Sequence, residues 1–302
     1  MKRRIDMEKV DIIKINPYDK MQQIKRICKM SLVYIAYTLP VILFLLPVFL
    51  LISRSFFSTQ EITSIGAGVF PKTFYPETYR DVLQNTEFIR GLKNTLIVVV
   101  CNVIGVPLTA FMAAYAFTKV KFAGRGLVFK VALGTIMLPG ILLQLPVYRI
   151  FTQLNWTDSL LPLTVPCFFG GGIMNIFMIM QFIRGIPKEL DEAAILDGTN
   201  ILQRMFFITL PNIKAIIMFL AVNAFFGAWN DIMGPLMYIT SDEHYTVNLY
   251  IYYTYLTTEI AMEARPNEQM AIGVILMLPM VVVFMFYQNT MIEGFSFAGI
   301  KA

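Results

Sequence analysis

Charge is the scarcest property of this chain. Only 15% of its 302 residues are Asp, Glu, Lys or Arg, against about 25% in an ordinary soluble domain. A soluble fold of this length needs more charge than that to cover its surface. Cysteine is scarce as well. Cys28, Cys101 and Cys167 form no C-x-x-C pair and fall in or beside apolar stretches, which excludes a disulfide framework. There is one histidine, His244, and no cluster with metal-ligand spacing. No G-x-x-x-x-G-K-[ST] occurs, so the chain lacks the loop that cradles nucleotide phosphates in that mode. No nucleophile–base pair is placed by a motif either, so no catalytic residue is assigned. The sequon Asn155-Trp156-Thr157 matters only in a eukaryotic secretory setting, which nothing else supports.

What is present is apolar residue, 57% of the chain, with a mean hydropathy of +0.63. A helix crosses a bilayer core of about 30 Å with about 20 apolar residues. Six stretches qualify: about 32–53, 93–117, 127–150, 159–183, 213–238 and 269–290. They predict an all-α, polytopic membrane helical bundle of six spans. Prolines inside the spans (Pro40, Pro47, Pro107, Pro139, Pro146, Pro166, Pro235, Pro279) are tolerated where neighbouring helices satisfy the freed backbone. The first run begins near residue 31 after a long charged segment. That is not signal-peptide anatomy and predicts an uncleaved first span.

Lysine and arginine set the orientation. Residues 1–31 hold nine of them. The second and fourth connections add Lys119, Lys121, Arg125, Arg184, Lys188, Arg204 and Lys214, and the end adds Lys301. The odd-numbered connections hold only Arg54, Lys72, Arg80, Arg90 and Arg265. Both termini are therefore expected in the cytoplasm. This placement assigns the net charge of +5 to topology and headgroup lipid, not to a nucleic acid. Residues 1–31 read as a cytoplasmic basic segment, 32–290 as the transmembrane unit and 291–302 as a cytoplasmic tail. The alternating basic and apolar residues of 1–31 fit a surface-lying amphipathic helix and equally a loose anchor, with Pro17 breaking any single long helix.

Between the fourth and fifth spans, the cytoplasmic loop 184–212 contains ELDEAAILDGTNILQRMFFITLP. Pro187 suits the first position of a helix, and Glu189, Asp191 and Glu192 favour the positive end of its dipole. Ile186, Leu190, Ala193 and Ala194 fall on one face. Gly198, after Asp197, suits a stop. Asn200 can cap a second helix running to Leu210, with Pro211 before the next span. A short helix with small residues on one face suits docking into a cleft on another protein; a solvated connection fits the periodicity as well.

The spacing Glu192-Ala193-Ala194, Gly198, Ile208-x-Leu210-Pro211, with Asp197 and Arg204-Met205-Phe206 around it, resembles the EAA loop of ABC importer permeases. Residues 136–163, the Trp229-Asn230-Asp231…Pro235-Leu236 segment and the end GFSFAGIKA resemble carbohydrate permeases of the maltose type. The resemblance runs from about residue 32 to the end. It does not cover residues 1–31, and Thr199 stands where Ala is frequent, a change expected to be tolerated.

The resemblance implies a bacterial cytoplasmic (inner) membrane, multi-pass subunit of an ATP-driven importer, with sugar as substrate. It implies that the loop forms the coupling helix. Glu189, Leu190, Asp191, Glu192, Ala193, Ala194, Asp197, Gly198, Arg204, Phe206, Ile208, Leu210 and Pro211 would serve contact with an ATPase, Glu192 through its charge. Gly294, Phe295, Gly299 and Lys301 of the tail would reach the same partner. The implied assembly has a second related permease subunit, two nucleotide-binding ATPase subunits and an extracytoplasmic solute-binding protein. ATP and Mg belong to the ATPase, and this chain binds no cofactor or metal itself. Phe74–Val82 would form a short amphipathic helix outside.

Polar groups at membrane depth are costly and mark pathways. Asn102, Gln144, Asn175, Asn223, Asn230 and Asp231 are the candidates to line one, though bonds between helices account for such residues too. Trp229 fits an interfacial aromatic belt better than a sugar-stacking platform. A self-sufficient secondary transporter would show an internal repeat or a charge relay, and neither is visible. Amino-acid, phosphate or metal-ion permeases and a non-transport scaffold are the remaining alternatives.

Overall fold

The computed structural model describes residues 17–257 and 265–299. Among these there is no strand, and fifteen α-helices carry the fold. The first, α1 (Pro17–Arg54), begins at Pro17, which suits a first helical position because its missing N–H is not needed there. Over 38 residues it reaches roughly 57 Å at 1.5 Å per residue. Its apolar part, Lys29–Arg54, is long enough to cross a membrane. Residues 17–31 are thus a helical extension of the first span, neither a separate surface helix nor a loose anchor; residues 1–16 lie outside the described part. Pro40 and Pro47 leave α1 unbroken. Most of its length touches nothing in this chain: Leu32 is 70% exposed and Phe44 77%. Such a surface suits lipid or another helix.

After α2 (Thr59–Ile62) comes α3 (Glu77–Gln84), the short outer helix expected around residues 74–82. It starts three residues later than expected. Phe74 precedes it and stacks on Phe56 at 4.4 Å. Thr78 and Val82 are its buried residues, and its Tyr79 hydroxyl pairs with Ser55 Oγ at 2.7 Å.

The central element is α4 (Thr86–Lys119), capped by Asn85, whose side chain accepts from the N–H groups of Glu87 and Phe88. Ala110, Phe111, Ala114 and Tyr115 on its inner half form the main core with Ile179, Met180 and Ile183 of α8 (Ile173–Arg184) and Ile216 and Leu220 of α12 (Lys214–Asn230). On its outer half, Phe88 joins Val247 and Tyr250 of α14 (Val247–Ile251) and Ala271 and Ile272 of α15 (Pro266–Gly299). Lipid tails give helices no hydrophobic reason to associate, so close approach through small residues matters. A Cβ at Gly91 would lie 3.2 Å from the Val247 backbone, and one at Gly105 only 2.6 Å from Cys167 Sγ. Gly105→Ala is therefore expected to destabilise the detergent-solubilised protein by about 1–3 kcal/mol, the usual cost of overpacking. Adding Cys167→Ala should restore most of that in a thermal-unfolding assay, because the atom in the way is then gone.

Two of the predicted continuous spans are broken. The stretch 127–150 divides into α5 (Arg125–Gly134), a 3-10 turn and α6 (Gly140–Gln153), bent by 108°. Pro139 is the cause: it disfavours helical backbone at the residue before it, and Leu138 is extended (φ −81°, ψ 120°). The stretch 213–238 is α12 to Asn230, an extended Asp231, then α13 (Met233–Tyr238). Pro235 cannot donate to the carbonyl four residues back, at Asp231, so the helix does not run through. The fourth span, Leu161–Arg184, is long enough to cross but irregular: α7 (Leu161–Thr164), a 3-10 turn Val165–Phe169, three left-handed glycines, then α8. Among the described residues four helices are long and apolar enough to span, or up to six if each bent pair, Arg125–Met137 with Gly140–Gln153 and Ile201–Asn212 with Lys214–Asn230 (bent by 81°), counts as one.

The loop 184–212 folds as α9 (Lys188–Leu196), a turn, then α10 (Ile201–Gln203), a π-helical turn Arg204–Thr209 and α11 (Leu210–Asn212). Pro187 caps α9 instead of entering it. Asn200 and Gln203 form a reciprocal capping box.

Candidate functional site

The irregular fourth span and the break between α12 and α13 meet around a cavity of about 430 Å³. It sits between α4, the irregular fourth span, α12 and α13. Unpaired backbone is untenable in hydrocarbon, so an unwound segment needs side-chain partners. Two polar residues one heptad apart on α4 supply them. Asn102 Nδ2 donates to the Leu163 carbonyl at 3.0 Å as well as to Val98 O at 2.9 Å. Thr109 Oγ1 donates to Gly105 O at 2.6 Å and lies 3.3 Å from Cys167 O, and it accepts the Gly170 N–H at 2.9 Å. The irregular wall is thus held open, not collapsed.

Of the six predicted pathway residues, four line this cavity: Asn102, Asn175, Asn223 and Asp231. Gln144 is exposed on α6, and Asn230 is exposed with its amide bonded to Phe226 O; neither lines it. Asp231 Oδ1 accepts the Gly234 N–H at 3.0 Å. A Cβ at Gly234 would lie 2.4 Å from Asp231 Oδ2, so this turn requires glycine. Trp229 is neither in an aromatic belt nor facing the cavity. It is 3% exposed, stacks on Phe225 at 5.6 Å and donates from Nε1 to Leu276 O at 3.2 Å, fastening α12 to α15. Sequence reading missed Thr109, whose signal was its position seven residues after Asn102.

Beyond the cavity, Asp158 clamps the segment after α6 to that after α13. Its carboxylate accepts the Ser241 hydroxyl, the Ser241 N–H at 2.7 Å and the Thr240 N–H at 3.0 Å. The Ser241 hydroxyl, with these N–H groups, holds the Asp158 carboxyl down to about 2. A carboxyl lowered on folding stabilises above its ordinary range, and that contribution is lost as pH falls through the lowered value. Stability is therefore expected to drop between about pH 4 and pH 2. Asp158→Asn should flatten that part of a thermal-midpoint profile against pH.

The second feature is α9. Ala194 and Ile186 are buried, whereas Leu190 and Ala193 are exposed, so the predicted single face is divided between this chain and the outside. Leu190, Ile195 and Leu196 are 43%, 56% and 88% exposed, three large apolar groups on a nine-residue helix outside the spans. Glu189, Glu192 and Asp197 are exposed around them. Asp191 instead forms a part-buried ion pair with Lys119 at the end of α4, which ties the helix to the central span. Gly198 has φ +76° and ends α9 in the left-handed region. Thr199 has more to do than tolerate its place: its hydroxyl donates to Ala194 O at 2.6 Å, and its own carbonyl accepts Arg204 Nη1 at 2.6 Å. Arg204, Phe206 (against Phe111) and Leu210 (against the main core) thus hold the loop to this chain. Ile208 is half-buried and Pro211 exposed. The side chains of Gly294, Phe295 and Gly299, at the end of α15, and all of Lys301 lie outside the described part.

A bundle of spanning helices, broken around a polar cavity and carrying one apolar helix outside the membrane segments, defines a transport protein of the multi-pass inner-membrane kind. The chain belongs to the family of binding-protein-dependent transport system inner membrane components, whose model matches residues 23–293. The match begins earlier than residue 32 and stops short of the last residues. The chain is 26% identical to the inner membrane ABC transporter permease protein YcjP of Escherichia coli, over 89% of this chain and 95% of that one. It is 26% identical to the trehalose/maltose transport system permease protein MalG of Thermococcus litoralis, over 92% and 99%. In fold it is similar to a chain of a bacterial ABC transporter involved in import of the acidic polysaccharide alginate (TM-score 0.72, 19% identity, 91% of this chain and 98% of that one).

Proposed function

We propose that this chain is the permease subunit of an ATP-driven sugar importer, taking oligosaccharides, and that it supplies half of the translocation pathway. The observation that carries the reading is the amide-lined cavity at the broken spans of a chain whose relatives include sugar permeases. Amides offer donors and acceptors together, which suits hydroxyl-rich substrates. A single broken bundle with α1 and α6 largely uncovered is half a pathway, and a second related permease covers the rest. Two separate ATPase subunits supply the energy, and α9 docks into one of them through Leu190, Ala193, Leu196 and Glu192. The family's dependence on a binding protein supports an extracytoplasmic solute-binding protein as the third kind of partner. Both termini lie in the cytoplasm, on the side of the basic connections.

The test is mass spectrometry of what co-purifies with the tagged chain from its native membrane in mild detergent. A second six-span permease and an ATPase with a phosphate-cradling loop are the expected companions. A chain that purifies alone and conducts solute without ATP contradicts the proposal.

A further inference from the structure

The cavity carries more chemistry than the word sugar. Each amide in its wall has its orientation fixed, because a backbone carbonyl can only accept. Asn102 Nδ2 is spent on Val98 O and Leu163 O, Asn175 Nδ2 bonds Gly171 O at 2.8 Å, and Asn223 Nδ2 bonds Phe219 O at 3.1 Å. Asn102 has only Oδ1 left to offer, whereas Asn175 and Asn223 each keep Oδ1 and one N–H, and the Tyr238 hydroxyl stands beside them. Asp231 uses Oδ1 on Gly234 and keeps Oδ2. Among the described residues no lysine, arginine or histidine lines the cavity, and Asp231 is its one charged residue. The wall therefore offers donors and acceptors together, with a negative charge at one end.

We propose that this wall is a selectivity subsite for neutral or amine-bearing oligosaccharides, and that the charge of Asp231 makes it disfavour sugars carrying carboxylates. The inference rests on the sugar-permease reading and narrows its substrate class. An acidic polymer would bring carboxylates toward Asp231 and find no lysine, arginine or histidine among the described lining residues. Like charges that meet outside bulk water repel strongly. Gly227 contributes open space: a Cβ there would meet nothing within 4 Å, so a side chain at this position enters the cavity without disturbing the fold.

The experiment is equilibrium dialysis of the purified importer assembly, without its binding protein, against radiolabelled trimers of glucose, glucosamine and galacturonic acid. The binding protein is omitted because it imposes its own selection. Glucose and glucosamine trimers should bind, and the galacturonate trimer should bind about tenfold more weakly or worse. Asp231→Asn, which keeps the Oδ1 bond to Gly234, should weaken glucosamine-trimer binding and strengthen galacturonate-trimer binding, each by about tenfold relative to the glucose trimer. Gly227→Leu should abolish binding of all three. Galacturonate bound as tightly as glucose, ratios unmoved by Asp231→Asn, or no trimer bound at all would each overturn the subsite. If ATP-driven sugar uptake survives any of those results, the importer reading stands and only this inference falls; if the assembly takes up no sugar, the reading beneath it falls as well.

Discussion

Glu192→Lys is expected to give a protein that inserts and folds normally yet fails to drive uptake. The carboxylate is exposed and forms no ion pair among the described residues, so the fold does not depend on it. It lies on α9 beside Leu196, which is 88% exposed. Reversing a charge at a contact that becomes desolvated on docking costs on the order of 2–5 kcal/mol. That is a loss of roughly thirtyfold or more in affinity for the ATPase subunit. The measurement pairs uptake into vesicles with the amount of ATPase retained on the tagged permease. Wild-type uptake with wild-type retention would remove Glu192 from the dock.

Thr109→Val is expected to damage the cavity while leaving Asn102 and the α12 side of the wall in place. The substitution keeps the shape and removes the hydroxyl. The Gly170 N–H then loses its acceptor at membrane depth. Orphaning a buried backbone group costs about 1–3 kcal/mol. The irregular segment should close or unravel, lowering the thermal midpoint in detergent and abolishing uptake. Thr109→Ser, which keeps the hydroxyl, should restore both. If Val behaves as Ser does, the hydroxyl is not what holds the wall.

Where local pattern decides, as for the apolar stretches and the helix–turn–helix loop between the fourth and fifth of them, sequence reading anticipated the architecture. The Asn200 cap, the left-handed Gly198 and the short outer helix are local chemistry, and they stand where the residues put them. The breaks were not legible. Pro139 and Pro235 interrupt their spans whereas Pro40, Pro47 and Pro107 do not. The difference lies in what surrounds each proline, not in proline itself. Unwound backbone persists where a neighbour such as Asn102 or Thr109 receives it, and that pairing spans about sixty positions of sequence. Trp229 is similar: its partner Leu276 is on another helix, and no local pattern announces it. Of the six residues that polarity at depth singles out, Asn102, Asn175, Asn223 and Asp231 face the cavity and Gln144 and Asn230 do not, because polarity carries no information on which way a side chain faces.

The most direct measurement is oligosaccharide uptake into proteoliposomes that contain this chain with and without its co-purifying permease and ATPase, with and without ATP. The account expects uptake only when all are present and the appropriate solute-binding protein is supplied. Uptake by this chain alone, independent of ATP, would contradict it.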